Sequence, residues 1–116
     1  GKEAVDPNKP VISYFSLAPE IITNYITANN EMGYIRIKIE IMVNTLGELE
    51  LVKKHEPLIR DTINDVLGKE TVEHIRSLKG RDLIRQECQD KVNERLLKET
   101  GKPIVRELIF TNYLYQ

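Results

Sequence analysis

The chain has 116 residues, of which 41% are hydrophobic and 30% charged, a composition typical of one soluble folded domain. Its 17 basic and 18 acidic residues give a formal net charge of −1, so no basic excess favours a nucleic-acid backbone or an anionic membrane surface. Cys88 is the only cysteine, which excludes an internal disulfide and a cysteine metal cluster but fits either the cytosol or the periplasm.

The first third of the chain predicts a linker and two short strands. Residues 1–10 are polar, contain two prolines and lack periodicity, as a linker or stalk would. Val11–Leu17 and Ile21–Thr27 are strand-like, and Pro19 between them is expected to end the first strand. Residues 29–33, rich in Asn and ending in Gly, predict the turn of a hairpin that leads into the next strand.

The clearest pattern in the sequence is the alternation from Tyr34 to Asn44. β-branched residues occupy every second position of this segment, and polar or charged residues occupy most of the others. A period of two over this length predicts a long strand that is buried on one face. The predicted inward residues are Ile35, Ile37, Ile39, Ile41 and Val43.

After Asn44 the period changes to that of a helix. Thr45 and Glu48 have the spacing of a capping box, which predicts a first helix starting at this point. Pro57 indicates either a kink in this helix or the start of a new one. Residues 58–67 are amphipathic and predict a second helix, for which Gly68 is the expected C-cap.

The last part of the chain predicts a short helix, a long helix and a strand. Thr71–Arg76 is the short helix, and Lys79–Gly80 is expected to be a turn. The long helix runs from Arg81 to Lys98 and carries an apolar residue at every fourth position. Ile104–Tyr115 is rich in β-branched and aromatic residues and predicts the final strand. This order predicts an α+β domain, with helices on one face of an antiparallel sheet.

No pattern of catalytic or metal-binding residues is present in the sequence. His55 and His74 have no second imidazole one helical turn away, so neither predicts a metal site. Cys88 lies between Ile84 and Val92 on an apolar stripe, where a cysteine is usually a core residue and not a nucleophile. The carboxylates are scattered among bases, and the glycines form no phosphate loop. The sequence therefore predicts a domain that is not an enzyme and has no cofactor. A small hydrolase using Cys88 or His74 is an alternative.

The surfaces remain as candidates for function. Two basic runs, one near Pro57 and one at residues 76–85, are expected to be solvated. The exposed side of the long strand and the pair Tyr113 and Tyr115 are better candidates for an interaction, because tyrosine combines an apolar ring with a hydroxyl group.

Three segments of the sequence, in order and with matching spacing, together form a recognisable pattern. The first is Tyr14–Glu20, which reads YFSLAPE. The second joins the long strand to its helix through Ile39–Thr45, Leu49–Leu51 and Lys54–Asp61. The third comprises Gly80–Arg85, Val92–Asn93 and the closing strand from Val105, which ends in FTNYLYQ. Together they resemble the periplasmic domain of the FliL family of flagellar basal-body-associated proteins.

The resemblance implies a protein of the periplasmic face of the bacterial inner membrane, located at the flagellar basal body. Its transmembrane helix would precede Gly1, residues 1–10 would be a stalk, and residues 11–116 would form a domain similar to the stomatin/prohibitin (SPFH) fold. It implies a non-enzymatic accessory protein that forms a ring of identical copies around the stator units and supports torque under load during swimming or swarming. The residues carried over as structural or contact positions are Lys54, Pro57, Arg60, Asp61, Arg81 and Arg85.

One alternative to this function is a general stomatin-like membrane scaffold that is not tied to flagella. In either case a membrane tether raises the local concentration of the domain, so each contact between neighbours can be small. Small interfaces of this kind would explain why the sequence shows no large apolar patch.

Overall fold

The structure, a computed structural model, describes residues 6–116. The first half of the predicted linker, residues 1–5, lies outside the described residues. Asp6–Lys9 form a turn closed by a hydrogen bond from the Lys9 amide to the Asp6 carbonyl. The elements that follow are β1 (Pro10–Ile26), β2 (Met32–Thr45), α1 (Leu46–Lys54), α2 (Glu56–Gly68), α3 (Val72–Ile75), α4 (Leu78–Thr100) and β3 (Glu107–Tyr115).

The three strands form an antiparallel sheet in the order β1-β2-β3, so β2 is central and the other two strands are edges. The predicted α+β class and the alternation along β2 are confirmed. The inward residues of β2 are fully buried under the helices, and its other side is open to solvent. The molecule measures 63 × 26 × 23 Å, and the 14 residues of β2, along which β1 is paired, span about 46 Å.

The prediction that Pro19 separates two strands is wrong. β1 continues through Pro19 because β2 pairs with it on both sides of the proline, Leu17 opposite Ile39 and Ile21 opposite Ile37. β1 thus uses four residues where β2 uses two, which is a bulge-like register shift. Proline is tolerated at this position because β1 is an edge strand. Proline has no backbone N–H to donate, and on the outer side of an edge strand there is no neighbouring strand that would accept such a bond.

The start of α1 agrees with the predicted capping box. The Glu48 amide donates to Thr45 Oγ1 at 3.1 Å, and Glu48 Oε1 accepts from the Thr45 amide at 3.1 Å. Pro57 lies in the first turn of α2, so it marks a new helix and not a kink in α1. Gly68 was expected to be the C-cap but is the last helical residue, and Lys69 caps α2 in a right-handed conformation.

The expected turn at Lys79–Gly80 is wrong, because both residues belong to the first turn of α4. Ser77 caps this helix by accepting a hydrogen bond from the Gly80 amide at 2.9 Å. Gly80 is buried against α3, and a Cβ at this position would overlap the backbone of His74. The chain thus needs a glycine here for close packing of two helices and not for a turn.

The rest of α4 follows the prediction, with its apolar stripe buried and Gly101 closing it at a φ of 86°. β3, however, begins at Glu107 and not at Ile104. The amides of Ile104 and Val105 donate to Asn93 Oδ1 of α4 at 3.1 and 2.8 Å, so this stretch is bound to a side chain and does not pair with a strand.

Candidate interaction surfaces

The outer face of the sheet, on the side away from the helices, has apolar residues at one end. Ile22, Arg36 and Leu114 lie side by side across the three strands, and Ile26 pairs with Met32 in the hairpin. Met32 is 74% and Leu114 53% exposed. The cluster, called here the hairpin patch, consists of Ile22, Ile26, Met32, Tyr34 and Leu114.

The middle of the outer face is basic. Arg36 and Lys38 point outward from β2, and neither forms an ion pair with any of residues 6–116. Glu40, the next outward residue, accepts a hydrogen bond from Ser16 of β1. Arg36 and Lys38 are called here the basic centre. At the far end of the face, the exposed Tyr14 pairs across the strands with Met42.

A row of polar side chains from α4 covers the outer edge of β3. Arg81 and Arg85 donate to the carbonyls of Phe110 and Leu108 at 3.4 and 3.3 Å. Gln89 Oε1 accepts from the Leu108 amide at 3.0 Å. Asn93 Nδ2 donates to the Val105 carbonyl at 2.8 Å, and its oxygen accepts the two amides described above. These residues recur at every fourth position and are called here the edge cover: Arg81, Arg85, Gln89 and Asn93.

Both tyrosines near the chain end, predicted as candidates for an interaction, lie on the inner face of the sheet and contact the protein itself. The Tyr113 hydroxyl donates to the Ile75 carbonyl at 2.7 Å, and Arg81 lies over the Tyr113 ring at 5.1 Å from its centre. Burial raises the pKa of Tyr113 to about 12. The Tyr115 hydroxyl is 3.4 Å from the Arg76 carbonyl, and this ring stays exposed. Both side chains fasten β3 to the α3 region.

The residues around Pro57 lie at the opposite edge of the sheet. Lys54 and Pro57 are exposed. Arg60 donates to the Pro19 carbonyl of β1 at 2.9 Å, and Asp61 pairs with Arg95 of α4 at 3.0 Å. Because β1 and β3 are opposite edges, the structure does not bring these residues together with Arg81 and Arg85.

The groups considered for chemistry are occupied by structural contacts. Cys88 is fully buried, and burial raises its pKa to about 12, which confirms a core residue and opposes a nucleophilic thiolate. His74 Nδ1 lies 3.1 Å from Glu70, and His55 sits between α1 and α2. Burial of the carboxyl group and, as a smaller contribution, the neighbouring Glu70 raise the pKa of Glu87. Within residues 6–116, no group of His, Cys, Asp and Glu is arranged to hold a metal ion.

Comparison with known proteins identifies the family. The family model described as flagellar basal body-associated protein FliL matches residues 14–116. The chain belongs to the FliL family. The Flagellar protein FliL of Aquifex aeolicus (strain VF5) is 32% identical to it over 102 residues, which cover 88% of this chain and 60% of that relative.

FliL proteins are flagellar accessory proteins and are not known as enzymes, in agreement with the prediction from the sequence. The chain spans less than two thirds of the length of the Aquifex relative. Among the helices of residues 6–116, none is long and apolar enough to cross a membrane.

Sequence reasoning missed the edge cover and the hairpin patch. The edge cover had a signal, because its residues repeat every four positions beside the apolar stripe of α4. The hairpin patch had a weaker signal. Its members come from three strands, and they share a face only through the register across the sheet.

Proposed function

We propose that this FliL domain acts on the periplasmic side of the bacterial inner membrane, as a unit of a ring around the flagellar stator. The ring supports engagement of the stator and torque under load during swimming or swarming. A stalk before β1 follows a transmembrane helix, and the domain from β1 onward forms the SPFH-like ring unit. Membership of the FliL family supports the flagellar role.

The observation that carries the proposal is the contrast between the two faces of the sheet. The inner face forms the core, whereas the outer face is a broad surface of apolar ends around a basic centre. Such a surface suits contact with another protein better than capture of a small molecule, which usually needs a concave site. The cleft between α2 and α4 has a volume of about 210 Å³ and is lined by both acids and bases.

A membrane tether makes weak contacts between neighbours sufficient. Copies held at the same surface meet at a high effective concentration, so each interface can be small and the ring can still be stable. The exposed Lys54 and Pro57 are available for a partner, while Arg81, Arg85 and Tyr113 act by holding β3 in place.

The test is motility of a strain deleted for the full-length gene, in media of low and high viscosity. We expect a defect that grows with viscosity, because stator engagement matters most under load. A membrane-tethered copy should restore motility, and the same domain exported without a tether should not. Normal motility of the deletion strain at every viscosity would refute the role in the motor.

A further inference from the structure

We propose that the ring is built head to tail, with one side of α4 in each copy docked on the outer sheet face of the next copy. This inference rests on the ring proposed above and adds the two surfaces that form it. Among residues 6–116, these two surfaces lie on different elements, and each has charge that no ion pair of its own neutralises.

The first surface is a solvent-exposed side of α4. Leu83, Asp90 and Leu97 are seven residues apart, so they lie in one line with steps of about 10.5 Å. Both leucines are 48% exposed. Asp90 accepts a hydrogen bond from Gln86 at 3.0 Å and pairs with no cation of residues 6–116. This line of an acid between two leucines is called here the α4 stripe.

The second surface repeats this order with the opposite charge. Along β2, Tyr34 of the hairpin patch, Lys38 of the basic centre and Met42 at the far end are four residues apart. Steps of four strand residues measure about 13 Å, close to the steps of the α4 stripe. When the α4 stripe of one copy lies along β2 of the next copy, its two leucines contact the apolar ends of the sheet face. Asp90 then lies on the basic centre, where Arg36 adds a second cation to Lys38.

Contacts related by a two-fold axis are less favourable for both surfaces. Two outer sheet faces packed about their middle would bring the basic centre of one copy against that of the other. Two α4 stripes, antiparallel with leucine matched to leucine, would bring Asp90 against Asp90. Pairing through the β3 edge is hindered because the edge cover already binds its backbone groups.

A contact between two different surfaces has a consequence for the assembly. Each copy uses its α4 stripe on one neighbour and its outer sheet face on the other, so the array continues until its rotation closes a ring. In addition, the exposed outer sheet face of each copy becomes covered by α4 of its neighbour, as in the three-layer arrangement of α/β proteins.

The test uses the chain held through an N-terminal hexahistidine tag on phosphatidylcholine vesicles that contain a nickel-chelating lipid. A variant with both Lys38→Cys and Asp90→Cys is treated with a short bis-maleimide, and Cys88 does not interfere because it is fully buried. We expect a ladder of multimers from the double variant. The pair Lys38→Cys and Glu73→Cys, at an exposed site on α3, is the control and should remain monomeric.

Each single-cysteine variant distinguishes the two kinds of symmetry. Head-to-tail docking leaves Lys38→Cys or Asp90→Cys alone without a partner thiol, so no multimer is expected. A dimer from either single variant shows a two-fold contact and overturns the proposal. A ladder of equal yield from the control pair also overturns it, because the cross-linking would then be random.

Energy transfer between copies labelled at the N terminus measures association whichever surface carries it. Lys38→Glu alone should weaken association about tenfold, and adding Asp90→Lys should restore it. If energy transfer is observed but the cysteine pair gives no ladder of multimers, the interface between the α4 stripe and the outer sheet face is refuted, and the ring proposal stands. No energy transfer above that of a dye-labelled lipid at the same density would refute self-association, and with it both proposals.

Discussion

The two edges of the sheet are protected in different ways. At β3, the edge cover on α4 binds the backbone groups that would otherwise be open. At β1, the protection comes from irregularity: the register shifts around Pro19, and Arg60 binds one carbonyl. Both are known ways of preventing a strand edge from pairing with another chain. The protection of the β3 edge therefore depends on the position of one helix, α4. The protection of the β1 edge depends mainly on the sequence of β1 itself.

The largest effect is expected from Gly80→Ala. The added methyl group would overlap the backbone of His74, push α4 away from α3 and move the edge cover out of register with β3. We expect a loss of about 3 kcal/mol in the free energy of unfolding. The measurement is chemical denaturation monitored by circular dichroism.

Gly68→Ala is the matched control for this prediction. No atom lies within 4 Å of a Cβ at Gly68, which is the last residue of α2, so alanine should leave stability equal or raise it by up to about 1 kcal/mol. Equal effects of the two substitutions would show that close packing at Gly80 does not hold α4.

The next largest effect is expected from Asn93→Ala, which removes the end of the edge cover. The amides of Ile104 and Val105 and the carbonyl of Val105 would lose their partner at once, at a cost of about 2 kcal/mol. Hydrogen exchange at these two amides should accelerate before the sheet opens. Asn64→Ala on the exposed side of α2 is the control. If Asn93→Ala lowers the free energy of unfolding no more than Asn64→Ala does, the proposed role of Asn93 is contradicted.

Tyr113→Phe tests the fastening of β3 to Ile75. It should lower the free energy of unfolding by about 1 kcal/mol at neutral pH, because the Ile75 carbonyl loses its donor. The folded pKa of Tyr113 is raised from 10.0 to about 12, so its contribution is complete below pH 10 and is lost as the pH rises through 12.

The decline in stability between pH 10 and 12 should therefore be shallower in Tyr113→Phe than in the native chain. Burial also raises the pKa of Cys88 to about 12, so this thiol contributes to the decline in both proteins. Tyr14→Phe, on the exposed outer face, is the control. Identical slopes for the native chain and Tyr113→Phe would show that the hydroxyl of Tyr113 is not protected by the fold.

The smallest effect is expected from Arg60→Met at the β1 edge. Arg60 makes one bond to the Pro19 carbonyl and a long contact with Glu56, both near the surface, so the loss should be about 0.5 kcal/mol. Arg85→Met at the β3 edge is the counterpart and should lose more, since Arg85 contacts both the Leu108 carbonyl and Gln89. A larger loss at Arg60 would reverse the comparison of the two edges.

Sequence patterns predicted the elements whose signals are local. The alternation along β2, the capping box at Thr45 and the burial of Cys88 each follow from residues within a few positions of one another. These features determine the α+β class and exclude a nucleophilic cysteine without any knowledge of tertiary contacts.

The errors occur where a distant segment decides the local structure. Pro19 lies within a strand because β2 pairs on both sides of it. Residues 104 and 105 lie outside the strand because Asn93 binds their backbone. Gly80 is an exception, because the helix that contains it is capped locally by Ser77. The candidate contact residues Arg81 and Arg85 were recognised, but their binding to β3 carbonyls could not be predicted from spacing within one helix.

The long pairing of β1 with β2 determines how the molecule resists a mechanical force. The 14 residues of β2 span about 46 Å of the 63 Å of the long dimension, and β1 is paired with β2 almost throughout. A pull along this axis loads the hydrogen bonds between antiparallel strands side by side, in shear, so they resist together and do not open one after another. A pull across the axis at the hairpin would instead peel the strands apart from Ile26 and Met32. The domain is thus stiff along its length and compliant across it.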